Sequence, residues 1–296
     1  MYDLVCVGNF TKDTVISAGK TRIVPGGAFN YGAHAARALG AKVCAVTHLA
    51  REDAGVVREL EALGVDVRVT YTGVSTSLRL EYPTDDPDER ILTVTAVADP
   101  FSAAEVAGIE ARAFVFGPSF HGEIDSEVIR TVARNPEILL AIDVQGFIRT
   151  VEGGKITYSA WDERRKILPL VSILKTDAVE ATYLTGESNH LEAAKILNRE
   201  GAREVLLTHR DGVVLFDGTA TYEAPFLPER IVGRSGRGDT CLASYVARRL
   251  VDPPGEALLW AAALTSKKLE AEGPFGGDFA MVEQMVNERY RTAPKR

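Results

Sequence analysis

The chain has only three cysteines, Cys6, Cys44 and Cys241, and no pair has Cys-x-x-Cys spacing. Each lies in or beside an apolar stretch. A disulfide framework is therefore excluded, and buried free thiols in a reducing compartment are expected. The five histidines, His34, His48, His121, His190 and His209, show no paired metal spacing, so no transition metal is expected. Positive charge is scarce as well: 34 Lys and Arg stand against 41 Asp and Glu, for a net charge of −7 with no basic run. Nucleic acid is not expected as a main partner. No apolar segment is long enough to cross a membrane, and Met1-Tyr2-Asp3-Leu4-Val5-Cys6-Val7 has no basic region before its short apolar run. Neither a membrane span nor a signal peptide is expected, and the cytoplasm is the expected location. Linker composition, repeats and low-complexity tracts are also missing. With 46% hydrophobic residues, the 296 residues read as one domain, 1–296, able to bury a sizeable core.

What is present is an alternation of strand and helix. Leu4 to Val7 is a short apolar run stopped by Gly8 and reads as a buried strand, with Asp13 in the loop after it. Thr14 to Val24 reads as a hairpin turning at Ala18-Gly19-Lys20. Gly19-Lys20-Thr21 is no phosphate loop, because that motif needs a glycine where Thr14 stands. Pro25-Gly26-Gly27 opens an Ala-rich helix to Leu39. Strands are expected at Lys42 to Thr47, Phe114 to Phe116, Ile138 to Val144, Ile173 to Lys175, Glu204 to Thr208 and Val213 to Phe216. Helices are expected at Ala54 to Leu63, Ser126 to Ala133, Trp161 to Leu168, Ala178 to Leu184, Leu191 to Arg199, Asp239 to Leu250 and Gly255 to Glu270. Such alternation implies a mainly parallel sheet covered on both faces. One segment differs: Ser77 to Tyr82 and Arg90 to Val97 alternate apolar and polar residues about the turn Pro83-Thr84-Asp85-Asp86-Pro87-Asp88. This reads as a half-exposed hairpin standing off the core.

The chain is organised around Gly233-Arg234-Ser235-Gly236-Arg237-Gly238-Asp239-Thr240-Cys241. Two glycines one residue apart permit a tight turn. A helical apolar stripe, Leu242, Tyr245, Val246 and Leu250, begins directly after them. Free N–H groups and the helix dipole make such a mouth attract anions. Asp239 is then either an ordinary cap or the base that takes a proton from a hydroxyl attacking a phosphoryl group. Its position at a helix N-terminus predicts a low carboxylate pKa. Ligands in an open α/β sheet sit beyond the carboxyl ends of the strands. Several further polar groups fall there: Asp13, Gly26, Gly27 and Asn30, Asp143 and Gln145, and Asp177 with Glu180. Carboxylates and amides of this kind suit a hydroxyl-rich ligand. Each also has a local reading. Asp13 suits a turn, Asp143-x-Gln145 a strand end with a capping amide, and Asp177 with Glu180 a capping box.

Gly236-Arg237-Gly238-Asp239 resembles the Gly-Ala-Gly-Asp signature of the ribokinase (PfkB) family of carbohydrate kinases, with Arg237 for Ala. The resemblance implies a ribokinase-like three-layer α/β sandwich with a mainly parallel central sheet. It also implies a small β lid contributed by about 14–24 and 72–98. By the same resemblance Gly236, Arg237 and Gly238 offer N–H groups to the moving phosphate and Asp239 is the catalytic base. Asp13, Gly26 and Gly27 hold hydroxyls of the substrate. Asn30 falls one position short of the family's Asn, which aligns with Tyr31. Asp177-Ala-Val-Glu180 resembles the family's Asn-x-x-Glu motif, implying Mg²⁺ held through water by Asp177 and Glu180. Thr208-His209-Arg210-Asp211-Gly212 resembles the Thr-x-Gly-x-x-Gly loop beside the nucleotide, one residue shorter and with Arg210 for the first Gly. Thr208, Arg210 and Gly212 are then the nucleotide contacts, with ATP as donor. Asp143-Val144-Gln145-Gly146-Phe147-Ile148-Arg149 is similar to a stretch in archaeal and plant myo-inositol kinases of this family, which implies a cyclic polyol as acceptor. The rivals are a sugar or nucleoside kinase, with Phe29 and Tyr31 stacking on a base, and a non-catalytic ligand-binding relative. Arg237 is either surface or a phosphate contact. A homodimer through the lid is the expected assembly.

Overall fold

A computed structural model describes residues 1–17, 19–82 and 91–291. Its strands are β1 (Tyr2–Val7), β2 (Thr11–Ser17), β3 (Lys20–Gly26), β4 (Val43–Leu49), β5 (Asp66–Tyr71), β6 (Thr76–Tyr82), β7 (Ile91–Ala96), β8 (Ala111–Phe116), β9 (Leu139–Asp143), β10 (Arg149–Glu152), β11 (Lys155–Tyr158), β12 (Ile173–Asp177), β13 (Glu204–Thr208), β14 (Gly212–Phe216) and β15 (Thr221–Pro225). Nine of them form one sheet in the order β15-β14-β13-β12-β9-β8-β1-β4-β5. It is parallel from β13 to β5, with β14 and β15 added antiparallel at one edge.

Side chains in β1 explain why the central strands read as continuous apolar runs. Leu4 and Cys6 face one core, which also holds Ala261 and Tyr245, while Val5 and Val7 face the other with Phe114 and Ile129. Alternate residues point to opposite faces, and both faces are buried. Each fully buried Val or Leu contributes roughly 1.5–3 kcal/mol relative to an exposed one. The first core carries the Ala28–Ala38, Arg237–Arg249 and Pro254–Leu269 helices, and the second the Ser126–Ala133 helix.

Four strands stand apart as a second sheet, β3-β2-β6-β7, with β2 and β6 parallel and the other pairs antiparallel. The expected hairpin at Thr14 to Val24 is therefore longer, and it shares a sheet with the second hairpin. Asp13 lies within β2 rather than in a loop. The turn at Pro83 to Asp88 and Ala18 of the first turn lie outside the described residues. A small hairpin, β10 with β11, was not expected. The helix expected at Trp161 to Leu168 is confined to Arg164–Ile167. Trp161 instead stacks on Phe147, ring centroids 4.7 Å apart, and Leu168 keeps helical angles but continues into a 3-10 turn, Leu168–Leu170, that includes Pro169.

Candidate active site

The chain runs from β1 out to β4 and β5, then returns to β8 on the other side of β1. A crevice is expected where the strand order reverses. The carboxyl ends of β8, β9, β12 and β13 there meet the second sheet across a cleft of about 400 Å³. Core residues on its lining include Gly117, Asp143, Gln145, Lys175, Asp177, Thr208 and the whole turn from Arg234 to Asp239. The second sheet contributes Thr11, Asp13, Leu78, Leu80 and Leu92, and Gly27, Ala28 and Tyr31 close one end.

The turn brings a helix N-terminus to the cleft. Gly236 is the cap of the Arg237–Arg249 helix, at φ 72°. A Cβ there would lie 2.3 Å from the Tyr31 ring, so both the backbone angle and the packing demand glycine. Arg237 N–H bonds back to the Arg234 carbonyl (3.4 Å) and Thr240 N–H to the Gly236 carbonyl (2.9 Å). The N–H groups of Gly238 and Asp239 between them have no carbonyl partner among the described residues. By the same measure the Gly236 N–H has no carbonyl partner among the described residues, so the donors open to an anion are those of Gly236, Gly238 and Asp239, and of the three expected donors only Arg237 is taken. Gly238 also lets Lys175 approach, since a Cβ there would sit 2.7 Å from Nζ.

Lys175 and Arg149 were not expected as site residues, and they organise its charges. Lys175, 4% exposed, pairs with Asp143 at 2.8 Å and lies 3.9 Å from Glu180. Arg149 donates to Glu180 Oε1 at 2.8 Å and lies 3.8 Å from Asp177. Burial pushes up the carboxyl groups of Asp143 and Glu180, and Lys175 opposes the rise in both. Burial works to lower the Lys175 ammonium, but Asp143, Glu180 and Asp177 outweigh it and hold the pKa above the usual lysine range. Asp239 is likewise raised by burial, against the pull of Lys175, Arg149 and Lys268. This is opposite in direction to the low value expected from the helix N-terminus, and burial is the largest cause. A raised carboxylate is the stronger base.

Other expected residues fall differently. Asp13, Gly27, Asp143, Gln145, Asp177 and Thr208 line the cleft. Asn30 does not: it is 2% exposed and its Nδ2 donates to the Pro25 carbonyl. Gly26 packs behind Asp13 and Thr11, where a Cβ would fall 2.3 Å from Thr11 Oγ1. Glu180 is fully buried, with Oε1 taken by Arg149 and Oε2 by the Asp177 N–H (2.9 Å). Its capping box with Asp177 is present, so Glu180 holds the loop rather than facing a metal. Asp177 alone of that pair reaches the cleft. Among the described residues no group of three or more acidic, His or Cys side chains could enclose a metal ion. A divalent ion carried on donor oxygens and met by Asp177 through water fits these residues. Arg210 is exposed and Gly212 buried within β14, and neither lines the cleft. Phe29 lies wholly in the core, edge-on to Phe10 at 6.4 Å, and cannot stack on a ligand. Arg237 lines the cleft, with its guanidinium 6.0 Å from the centre of the Phe226 ring.

The missed residues left a mark in the sequence. Lys175 is a charge inside an otherwise apolar strand, Ile173-Leu174-Lys175. Lys268 continues the buried stripe Ala257, Ala261, Leu264 of its helix. A charge at a position patterned for the core signals a partner brought from elsewhere in the fold.

Among the described residues no helix is long and apolar enough to cross a membrane. Comparison with known proteins agrees with this architecture. A solved structure described as a pyrophosphate-dependent kinase in the ribokinase family, complexed with a pyrophosphate analog and myo-inositol, is 33% identical with a TM-score of 0.84, covering 92% of this chain and 97% of that one. Another, of a pyrophosphate-dependent myo-inositol-1 kinase converted into a myo-inositol-3 kinase, is 32% identical with a TM-score of 0.86, covering 97% and 99%. A cytidine kinase of Thermococcus kodakarensis is 27% identical over 262 residues, 83% of this chain and 88% of its own length. Residues 1–274 match the model of the pfkB family carbohydrate kinases. The chain belongs to the pfkB family and is a carbohydrate or polyol kinase with the ribokinase-like α/β fold.

Proposed function

We propose that this kinase phosphorylates a hydroxyl of a small cyclic polyol, with myo-inositol the best candidate. The observation that carries the reading is the floor of the cleft. A desolvated carboxylate, Asp239, stands at a helix N-terminus whose free N–H groups and neighbouring Lys175 suit a phosphoryl group, opposite Asp13 on the second sheet. In the transfer, the acceptor oxygen forms its bond to phosphorus as the bond from phosphorus to the donor's bridging oxygen breaks, and the leaving oxygen keeps that electron pair. Asp239 takes the acceptor's proton, and the Gly238 and Asp239 N–H groups with Lys175 face the transferred charge. Asp13 and Asp143 sit where they can accept from other hydroxyls of the acceptor. The four-stranded sheet serves as the lid, excluding water that would otherwise compete as acceptor.

The cleft favours a polyol over a nucleoside. Among the described residues its two aromatic lining residues, Tyr31 and Phe120, are only 2% and 4% exposed and offer no free ring face to a base. The two solved relatives above, one complexed with myo-inositol and the other described as a myo-inositol kinase, support the same choice. The donor expected from the sequence is ATP carried with Mg²⁺. Inorganic pyrophosphate is a second reading with a specific observation behind it. Arg237 stands where the family signature has Ala, and it and Arg234 both line the cleft. The two solved relatives above, each near one-third identity, are described as pyrophosphate-dependent. A panel of myo-inositol, ribose, fructose and cytidine against ATP and pyrophosphate tests both choices. The expected result is the highest kcat/KM for myo-inositol, with Asp239→Asn lower by about 10²–10⁴-fold throughout. A large margin for cytidine would overturn the polyol reading.

A further inference from the structure

The turn that binds the anion rests on a lysine outside the cleft chemistry described so far. Lys268 sits near the end of the Pro254–Leu269 helix, on its buried face and 1% exposed. A buried ammonium needs compensation, and no carboxylate pairs with this one among the described residues. Its three N–H groups have three other recipients. Nζ donates to the carbonyls of Gly233, at 3.0 Å, and of Ser235, and it lies over the Tyr31 ring, 5.2 Å from the centroid. Tyr31 is the same ring that packs beneath Gly236.

We propose that Lys268 is an internal cation that fixes the shape and field of the anion-binding turn, a positioning residue for the phosphoryl transfer. This rests on the reading of the turn given above. The geometry supplies the mechanism. A peptide unit is planar and trans, so its C=O and the following N–H point in opposite directions. Drawing the Ser235 carbonyl towards Lys268 turns the Gly236 N–H away from it, and drawing in the Gly233 carbonyl does the same for the Arg234 N–H. Lys268 thereby holds the backbone on both sides of Arg234, and a positive charge behind the turn strengthens its donors towards an anion in front. A monovalent cation of ammonium size could replace the side chain, because two converging carbonyl oxygens and a ring face would remain.

Burial pushes the Lys268 ammonium down to about 8, with Asp239 and Glu272 raising it and Arg237 lowering it further. Those groups and Tyr31 face Nζ from the neighbouring segments. The charge is therefore present below about pH 8 and lost above it.

The test uses inorganic pyrophosphate as the probe of the turn, with binding measured by calorimetry without acceptor. Lys268→Ala should weaken pyrophosphate by roughly 10–100-fold, the scale of lost charge-assisted hydrogen bonds, and leave myo-inositol affinity nearly unchanged. Methylammonium chloride, compared with sodium chloride at equal ionic strength, should restore most of the loss in Lys268→Ala. It should restore none in Lys268→Met, whose side chain fills the space. Wild-type affinity for pyrophosphate should fall as pH rises through about 8, and that fall should be missing in Lys268→Met. If Lys268→Ala does not fold, Lys268→Met supplies the affinity and pH readouts. The proposal is overturned if the variants bind pyrophosphate within ~2-fold of wild type, a margin well inside one charge-assisted bond. It is also overturned if a folded Lys268→Ala loses affinity that methylammonium does not restore. A wild-type protein that binds pyrophosphate but phosphorylates no polyol would refute the proposed function and leave this result standing.

Discussion

Replacing Lys175 with methionine removes one cation and leaves two buried carboxylates behind. Lys175 is 4% exposed, 2.8 Å from Asp143, itself 2% exposed, and 3.9 Å from the fully buried Glu180. Methionine matches the length of the side chain, so the volume change is small and the effect is electrostatic. Breaking a buried pair from one side costs about 3–5 kcal/mol, because the abandoned charge keeps its desolvation penalty. In a chain of this size that corresponds to roughly 10 °C in Tm. The sign of the pH dependence follows from the carboxyl groups. Asp143 and Glu180 are already raised by burial with Lys175 opposing, and without it they rise further. The folded variant then binds more protons than the unfolded chain, so its stability is retained at low pH and lost as pH rises through the raised values. Denaturant unfolding of Lys175→Met at pH 5.5 and 8 should show a deficit against wild type that grows with pH. Adding Asp143→Asn should recover part of it, since the neutral amide needs no cation. A loss below ~1 kcal/mol at both pH values would place Lys175 outside the low-dielectric pair described here, and so would a double variant as unstable as the sum of its parts.

Asp239→Asn should lower kcat by about 10²–10⁴-fold, the usual scale for a lost general base, while polyol binding survives; near-normal turnover in steady-state assays would remove Asp239 from the proton transfer. Arg237→Ala should weaken transition-state stabilisation by roughly 1–3 kcal/mol with every acceptor, and Arg237→Lys should recover only part, because a point charge cannot replace the planar fork. Kinetics with donor varied at saturating polyol read this directly, and unchanged values would leave the backbone turn as the whole anion site. Glu105 offers an acid-range test. Burial would raise its carboxyl group, but the Ser102 N–H, the Thr70 hydroxyl and His48 outweigh that and hold it down at about 2. A depressed folded value means stability present above the ordinary glutamate range and lost as pH falls towards about 2. Thermal unfolding of Glu105→Gln should therefore be less stable near neutrality and less acid-sensitive, and a curve parallel to wild type would refute the assignment.

What the sequence made legible follows burial. Strands covered on both faces, such as β1, β4 and β13, wrote themselves as continuous apolar runs. The edge strand β5, Asp66–Tyr71, is largely exposed and carries charges, and the β10–β11 hairpin is short and polar, so neither leaves such a run. The Gly236–Asp239 turn was visible because glycine at a helix mouth has few other uses. Glu180 shows the limit: a capping box and a site residue have the same sequence, and only Arg149, arriving from 31 positions earlier, shows what its second oxygen does. Residue type alone puts Asp13 in a turn, whereas pairing with Val24 and Leu78 on either side keeps it in a strand.

The separation of Asp13 from Asp239 has a kinetic consequence. Asp13 rides on the four-stranded sheet, and Asp239 on a helix of the other body. The chain passes between the two bodies at residues 8–10, at Gly27, and at residues 72–75 and 97–102. Surface ion pairs such as Lys12–Asp53 and Arg22–Glu272 add modest ties worth about 0–1 kcal/mol each. An acceptor that satisfies both carboxylates would therefore itself be a structural member, bridging the two sheets beside ties such as the Val94 N–H bond to the Gly154 carbonyl. Inverting one ring hydroxyl would remove a hydrogen bond and also slacken that bridge, leaving the acceptor bound but poorly aimed. Selectivity among stereoisomers should accordingly be written in kcat more than in KM, with epimers acting as occupants that dwell without reacting.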